Sequence, residues 1–379
     1  MNVITSTQEL EKIVNDLSSE EFITIDTEFH REKTYYPLLC LVQIAGKNDA
    51  YLIDPLADGI DLSSIKKLLI NKDVIKIFHA SFQDMEILYY LCGVIPDPVF
   101  DTQIAAQIVG IGESVGYGKL VEDICGVTLD KSSRHTDWCK RPLTNKQMDY
   151  ALSDVTYLRD IYIFLKKNIS DLGRDQWMAE EIEKIMEVEL YKNSPENAWK
   201  KLKLNNNRGK FRSIVKELAI WREGYAQKVN RPKSWILKND AIYEIASISP
   251  EKESDLSNLR FYKPNDKVIN KAIVEIVDVA VNLDYPPVIK NKSSRGSSTY
   301  LADMMKILLK VQCERHNIVP SVVVKADDIE VLANTDDTDM PVLKGWRYDI
   351  FGRHALALKD GKIALTINDG DIKIMDNNN

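Results

Sequence analysis

The chain has few cysteines, no long apolar run and no surplus of positive charge, and each shortage excludes something. Its five cysteines (Cys40, Cys92, Cys125, Cys139 and Cys313) are odd in number and scattered, with no CxxC pair. That spacing suggests neither a disulfide framework nor a thiolate zinc cluster. His30, His135, His316 and His354 share no metal-ligand spacing. No stretch approaches the ~18 consecutive apolar residues of a membrane-spanning helix. The run MNVITSTQELEKIVNDL places acids where a signal peptide needs a basic start and an apolar middle, so a cytoplasmic protein is expected. Glycines 110, 112, 116 and 118 open no strand-to-helix turn of the dinucleotide-binding kind and read as a flexible connector.

What is present describes a globular protein. Apolar residues make up 44% of the 379 and charged residues 28%, and the length points to two or three domains. The net charge of -7 argues against a nucleic-acid partner until its distribution is considered. Between Trp199 and Asp240 there are 12 Lys and Arg against 3 Asp and Glu, a balance of +9 that leaves -16 for the rest of the chain. Charge segregated this way says more than the total.

The first part reads as an α/β domain. FITI (22–25) is β-branched and apolar, as in a buried strand, and Asp26 and Glu28 follow at its end. On an extended backbone these two project to one side, where they repel unless a cation lies between them. LLCLVQIA (38–45) and AYLID (50–54) follow closely, so an antiparallel meander is expected. Tyr35, Tyr36 and Leu38 read as core rather than as packing near a substrate. Helices are expected over 7–18, 61–70, 82–91 and 103–109, with VIKIFHA (74–80) and VFDT (99–102) as strands. The pattern gives a mixed sheet with helices on its faces. After the polar loop KSSRHTDWCKRPL (131–143), Thr144 and Gln147 form a capping box that opens a long helix. That helix carries Tyr150 and Asp154 one turn apart on one face.

Residues 175–192 read as one amphipathic, acid-rich helix that Pro195 breaks, and from about Asn205 only helices are expected: 212–227, 240–248, 255–259 and 265–283. The stretches 284–287 and NKSSRGSS (291–298) read as a linker before a third, mostly helical unit from Tyr300. No short-period repeat is visible, although the second and third units could be distant copies of one helical module.

Oxygen ligands from Asp26, Glu28, Asp84 and Asp154 suit hard divalent ions, Mg²⁺ or Mn²⁺, rather than zinc. Two such ions roughly 4 Å apart stabilise both the attacking and the leaving oxygen when a phosphodiester is cut. Tyr150 is placed to orient the attacking water or take its proton. His79 either touches substrate phosphate or closes its strand. Asp101 reads as structural or as support for the site.

D-x-E, then H-x-x-x-x-D, then Y-x-x-x-D, in this order, resemble the three motifs of the DEDD 3′–5′ exonucleases, in the subclass with a tyrosine. DTEFHREKTYYPLLCLVQIA, IFHASFQDMEIL, VFDTQIAA and DWCKRPLTNKQMDYALSDVTYL are similar to the ribonuclease D family, and LAIWREGYAQKVNRPKSWILKNDAIYEIA (218–246) resembles its HRDC module. KGWRYDIFGRHALALKDGKIAL (344–365) resembles the closing segment of that family's chains. The resemblance implies a ribonuclease H-like exonuclease domain at 1–172, a helical linker at 173–206, an HRDC domain at 207–287 and a C-terminal HRDC-like domain at 288–375. It implies that Asp26, Glu28, Asp84 and Asp154 hold two ions, with Tyr150 on the water. The implied substrate is RNA with a single-stranded 3′ end, tRNA precursors above all, cut by a monomer to nucleoside 5′-monophosphates. Two rivals remain: a DNA 3′–5′ exonuclease of the proofreading or Werner type, and an RNA-binding module without turnover.

The basic stretch interleaves Trp199, Phe211, Trp221, Tyr225 and Trp235 with its cations. Lys200, Lys201, Lys203, Arg208, Lys210 and Arg212 are expected to contact phosphates. Trp221 and Trp235 are expected to fill a helical core rather than stack on bases.

Overall fold

The structure, a computed structural model, describes residues 3–204, 208–263, 266–283, 299–336 and 339–377. The chain divides into two compact units, one of Met1–Thr27, Leu41–Glu187 and Asn291–Asn379, the other of Glu28–Cys40 and Val188–Lys290. The expected linker at 284–287 and 291–298 lies outside the described residues. No helix among the described residues is long and apolar enough to cross a membrane. Cys92, Cys125 and Cys313 are free thiols. Cys40 and Cys139 are disulfide-bonded, which cysteines without a paired spacing could not announce.

A mixed sheet organises the first unit. The chain runs β1 (Val3–Ile4), α1 (Thr7–Leu17), β2 (Phe22–His30), β3 (Leu38–Ala45), β4 (Ala50–Ile53), α2 (Ser63–Leu69), β5 (Ile75–Phe78), α3 (Phe82–Cys92), β6 (Val99–Asp101) and α4 (Thr102–Ile108). The sheet order is β1-β4-β3-β2-β5-β6. β3 and β4 pair antiparallel, as the meander requires, while β2 with β5 and β5 with β6 pair parallel. β1, which runs parallel to β4 at the edge, is too short for any period to reveal it. Ile23, Thr24 and Ile25 are buried in the middle of β2. The Thr24 hydroxyl donates to the Val155 carbonyl at 2.8 Å.

That carbonyl belongs to a long helix. α5 (Tyr117–Leu120) passes through a π-helical turn at Val121–Cys125, and after the loop comes α6 (Asn145–Asp171), then α7 (Asp175–Ile185). The Thr144–Gln147 capping box opens α6 as expected. The helix expected over 175–192 is instead two pieces, α7 and α8 (Glu189–Lys192). Met178 packs in the core of the first unit, whereas Ala198 and Leu202, beyond α8, pack in that of the second.

The second unit is helical: a 3₁₀ turn at Pro195–Lys201, α9 (Gly209–Val229), α10 (Lys233–Ile236), α11 (Asn239–Ile248) and α12 (Lys267–Ala280). Trp221 packs against its core and stacks on Tyr225, with ring centroids 5.5 Å apart. Trp235 does not fill the core. It is 61% exposed on α10, because Ile236 and Leu237 are the residues this short helix turns inward. Tyr35 is buried and its hydroxyl donates to Glu223, whereas Leu38 is 47% exposed and not core.

The C-terminal segment adds α13 (Thr299–Arg315), α14 (Pro320–Val323), α15 (Ala326–Asn334) and α16 (Gly345–Arg347), which runs through a π-helical turn at Tyr348–Gly352 into α17 (Arg353–Lys359). A hairpin of β7 (Ile363–Asn368) and β8 (Asp371–Asp376) closes it. One core joins these helices to the sheet domain: Leu308, Phe351 and Trp346 pack with Ala105, Ile161 and Met178. The Trp177 and Trp346 rings stack at 4.8 Å.

The segments α9–α11 and α13–α15 share one plan. Each long helix is followed by an asparagine with positive φ, Asn230 or Asn317. A four-residue helix, an extended Leu237 or Val324, and a lysine N-cap, Lys238 or Lys325, then lead into the next helix. In the same register Ile242, Ile245 and Ala246 match Ile329, Leu332 and Ala333, all buried.

Gly110 has φ +85°, and a Cβ there would stand 2.0 Å from the Asn317 carbonyl oxygen. The glycine run expected to be a flexible connector thus includes a packing point. Gly110→Ala should lower unfolding stability by roughly 2–4 kcal/mol, strain plus overlap. Gly59→Ala, with φ +75° but nothing within 4 Å, should lose only about 1–2 kcal/mol. Denaturant unfolding measures both, and equal losses would mean that the approach to Asn317 carries no weight.

Candidate active site

Asp26 and Glu28 leave β2 on one side, and Asp154 comes from the third turn of α6 beside Val155, whose carbonyl the Thr24 hydroxyl holds. One ligand oxygen from each of Asp26, Glu28 and Asp154 lies within 4.8 Å of the others, and all three residues are half-buried. Asp84, buried in the first turn of α3, is not part of this group. It accepts a hydrogen bond from the Thr27 hydroxyl at 2.5 Å and lies within electrostatic reach of Asp26.

The charge is strained. Burial raises the Asp26 carboxyl to about 6, a hydrogen bond with the Thr27 backbone working against it. Burial and then the Asp26 charge raise Asp154 to about 8, against a hydrogen bond from the Tyr150 side chain and the charge of Arg134. Asp84 is pushed well above the carboxylate range by burial and by Asp26. Carboxylates this close, with only oxygen to offer, fit a hard divalent cation, whose charge would remove the repulsion.

Tyr150 is the neighbour of Asp154 along α6, and the Trp138 ring lies against it with centroids 6.0 Å apart. His79 has Nδ1 3.0 Å from the Thr102 hydroxyl and a bond to the Val115 backbone, and burial lowers its pKa. Lys200, Lys201, Lys203, Arg208, Lys210 and Arg212 all belong to the second unit. Arg208, Lys210 and Arg212 gather at the start of α9, where no acid stands in the first turn. Cations at a helix N-terminus are disfavoured by the macrodipole.

Several contributors carry no motif. The Asp101 carboxylate accepts from the backbone N–H groups of Ala80, Ser81, Gln103 and Ile104 at 2.8–3.3 Å. It thereby fixes the turn, with Ala80 at φ 56°, that presents Asp84. Asp54, at the end of β4, takes two bonds from the Arg141 guanidinium at 2.5 and 2.6 Å. Arg141 also donates to the Trp138 carbonyl at 2.7 Å, which anchors the loop that lays Trp138 on Tyr150. Only the acid-and-arginine composition of that loop hinted at this.

Residues 1–170 match the family described as 3′-5′ exonuclease, and residues 211–279 match the HRDC domain. The chain is 41% identical to ribonuclease D of Bartonella henselae, with 98% of this chain and 93% of that protein covered. It is 40% identical to ribonuclease D of Nitrobacter hamburgensis, with 98% of each covered. The crystal structure of Escherichia coli RNase D, described as an exoribonuclease involved in structured RNA processing, superposes with a TM-score of 0.83. That match has 27% identity over 95% of this chain and 99% of the other. The exonuclease fold is of the kind that uses divalent metal ions.

Acids whose folded pKa is raised stabilise the fold below their unfolded pKa, and that contribution is lost as pH rises through the folded value. For Asp26 and Asp154 the window runs from about 4 to about 8. In EDTA at pH 8, Asp154→Asn should therefore raise the melting temperature by about 2–4 °C, on the order of 1 kcal/mol. At pH 4 the gain should vanish. Mg²⁺ should raise the melting temperature of the wild type and raise that of the variant much less. A variant less stable than wild type at pH 8 without metal would contradict the crowding of charge.

Proposed function

Since the chain belongs to the ribonuclease D family, we propose that it is a 3′–5′ exoribonuclease that hydrolyses the terminal phosphodiester of RNA with a single-stranded 3′ end. The observation that carries this reading is the convergence of Asp26, Glu28 and Asp154 beside Tyr150. Asp26, Glu28 and Asp154 would hold one Mg²⁺ or Mn²⁺, and Asp84, facing the charge of Asp26, would help to hold a second. Bound ions supply positive charge to the attacking and leaving oxygens. Tyr150 orients the attacking water through its hydroxyl, and Trp138 limits the swing of its ring. The new bond joins water oxygen to phosphorus, and the bond from phosphorus to the 3′ oxygen of the preceding nucleotide breaks. A nucleoside 5′-monophosphate leaves, and the shortened chain keeps a 3′-hydroxyl after taking up a proton.

The acidic pocket repels a polyanion, so the cations at the start of α9 serve to collect the RNA backbone. Trp235 stands exposed between Lys233 and Lys238, and in the matching register of the C-terminal segment the residue is a buried Val322. Module packing thus does not require an exposed indole, and we assign Trp235 to stacking on an unpaired base. Residues 288–375 are read as a second HRDC-like module, and tRNA precursors as the physiological substrate of a cytoplasmic monomer.

On 5′-labelled RNA with a 3′ tail, the protein should produce a ladder shortening from the 3′ end that needs Mg²⁺ or Mn²⁺ and stops in EDTA. Tyr150→Phe should lower kcat by about 10²–10⁴-fold with the metal-induced melting shift retained. Faster loss of a matched DNA would move the assignment to a DNA exonuclease, and binding without any ladder would leave an RNA-binding module. Trp235→Ala should weaken RNA binding by about 1–3 kcal/mol, read by fluorescence anisotropy. Unchanged affinity would remove Trp235 from the interface.

A further inference from the structure

Positive charge also gathers in the first unit, at a place no motif marks. Arg315 and His316 end α13, and Arg353 and His354 lie on the helical run from Gly345 to Lys359 just after its π-helical turn. Both helices pack through one core, with Cys313, Phe351 and Ala355 buried in it. Arg174 ties the end of α13 down from below. Its guanidinium donates to the Ile108 carbonyl at 2.6 Å and to the His316 carbonyl, and it lies 4.7 Å over the Trp177 ring. Arg174 is 6% exposed, and no carboxylate neutralises it among the described residues.

The fold accounts for part of this. Cations near the end of α13 suit its macrodipole, and Arg174 satisfies carbonyls left over where helices end. It does not account for Arg353 and His354, which lie within a helical run rather than at its C-terminus. Nor do the nearest acids along the two helices compensate. Glu314 and Asp349 form no ion pair with Arg315 or Arg353 among the described residues. The groups are close enough to act on one another. Burial, then Arg174, Arg315 and Arg353, depress the His316 imidazole, and burial, then Arg353, Arg315 and His316, depress that of His354. Two exposed arginines, two imidazoles that remain neutral donors, and a buried uncompensated guanidinium make a site for an anion. Among π-helical turns, many sit at functional sites because they re-aim the residues that follow.

We propose that Arg315, His316, Arg353 and His354, backed by Arg174, form a phosphate-binding site for the backbone of the RNA substrate, separate from the basic stretch at 199–240. This rests on the ribonuclease reading and names a contact surface for it. Arg315 and Arg353 take phosphate oxygens directly, and the imidazoles add neutral hydrogen bonds.

The test measures affinity for a fluorescent hairpin RNA with a 3′ tail over a series of KCl concentrations. The full chain is used in the Asp154→Asn background, so that the RNA stays intact. Adding Arg315→Gln with Arg353→Gln should reduce the slope of log affinity against log salt by about 1.4–1.8, the loss of two phosphate contacts. Arg315→Lys with Arg353→Lys should restore most of the slope. In the otherwise wild-type chain, the Gln pair should leave the melting temperature unchanged. Where the wild-type chain shortens RNA, an unchanged slope overturns this site alone, as does a reduced slope that lysine fails to restore. If the wild-type chain does not shorten RNA and the Asp154→Asn protein does not bind it, the ribonuclease reading falls and takes the site with it.

Discussion

Negative charge crowded at the end of one buried strand is the constraint on which the rest of this structure depends. Asp26, Glu28 and Asp154 bring oxygens within 4.8 Å of one another, and without a cation such groups push one another apart or take up protons. The surroundings are therefore braced. The Thr24 hydroxyl ties β2 to α6, the Thr27 hydroxyl holds Asp84, four backbone N–H groups hold Asp101, and the Asp54–Arg141 pair holds the loop under Trp138. Each such bond contributes only about 1 kcal/mol net, so no single one sets the site. Together they keep a geometry that the charges alone would disperse.

Such a site cannot attract its substrate unaided, because an acidic pocket repels a polyanion. The charge of the chain is segregated. The cations lie in the stretch at 199–240 and in the cluster around Arg174, apart from the carboxylates in sequence. Both basic regions carry cations beyond what helix electrostatics explains: at the start of α9, where the macrodipole opposes them, and within the run Gly345–Lys359.

Much of the fold was legible because its signals are local. The alternation and β-branching of β2, the capping box before α6 and the helical period of α9 each act within a few residues. The fourfold spacing of Tyr150 and Asp154 placed them on one helix face in advance, and the twofold spacing of Asp26 and Glu28 placed them on one strand face. Where the local signal was weak, expectation and structure part. Trp235 has the composition of a core residue but stands in solvent. The apolar period over 175–192 continues past the point where the chain changes cores. Gly110 looks like a connector yet meets Asn317 from the far end of the chain.

The sequence by itself determined the chemistry of the site, since residue type and spacing say which groups are offered and on which element. Tertiary structure alone decided which groups meet. Nothing local links Thr24 to Val155, Asp54 to Arg141, or Arg174 to His316, pairs 131, 87 and 142 residues apart. A hydrogen bond or a charge acts over a few ångströms of space and is indifferent to distance along the chain. Contacts between remote residues therefore leave no period in the sequence, and only the packed core brings them into range.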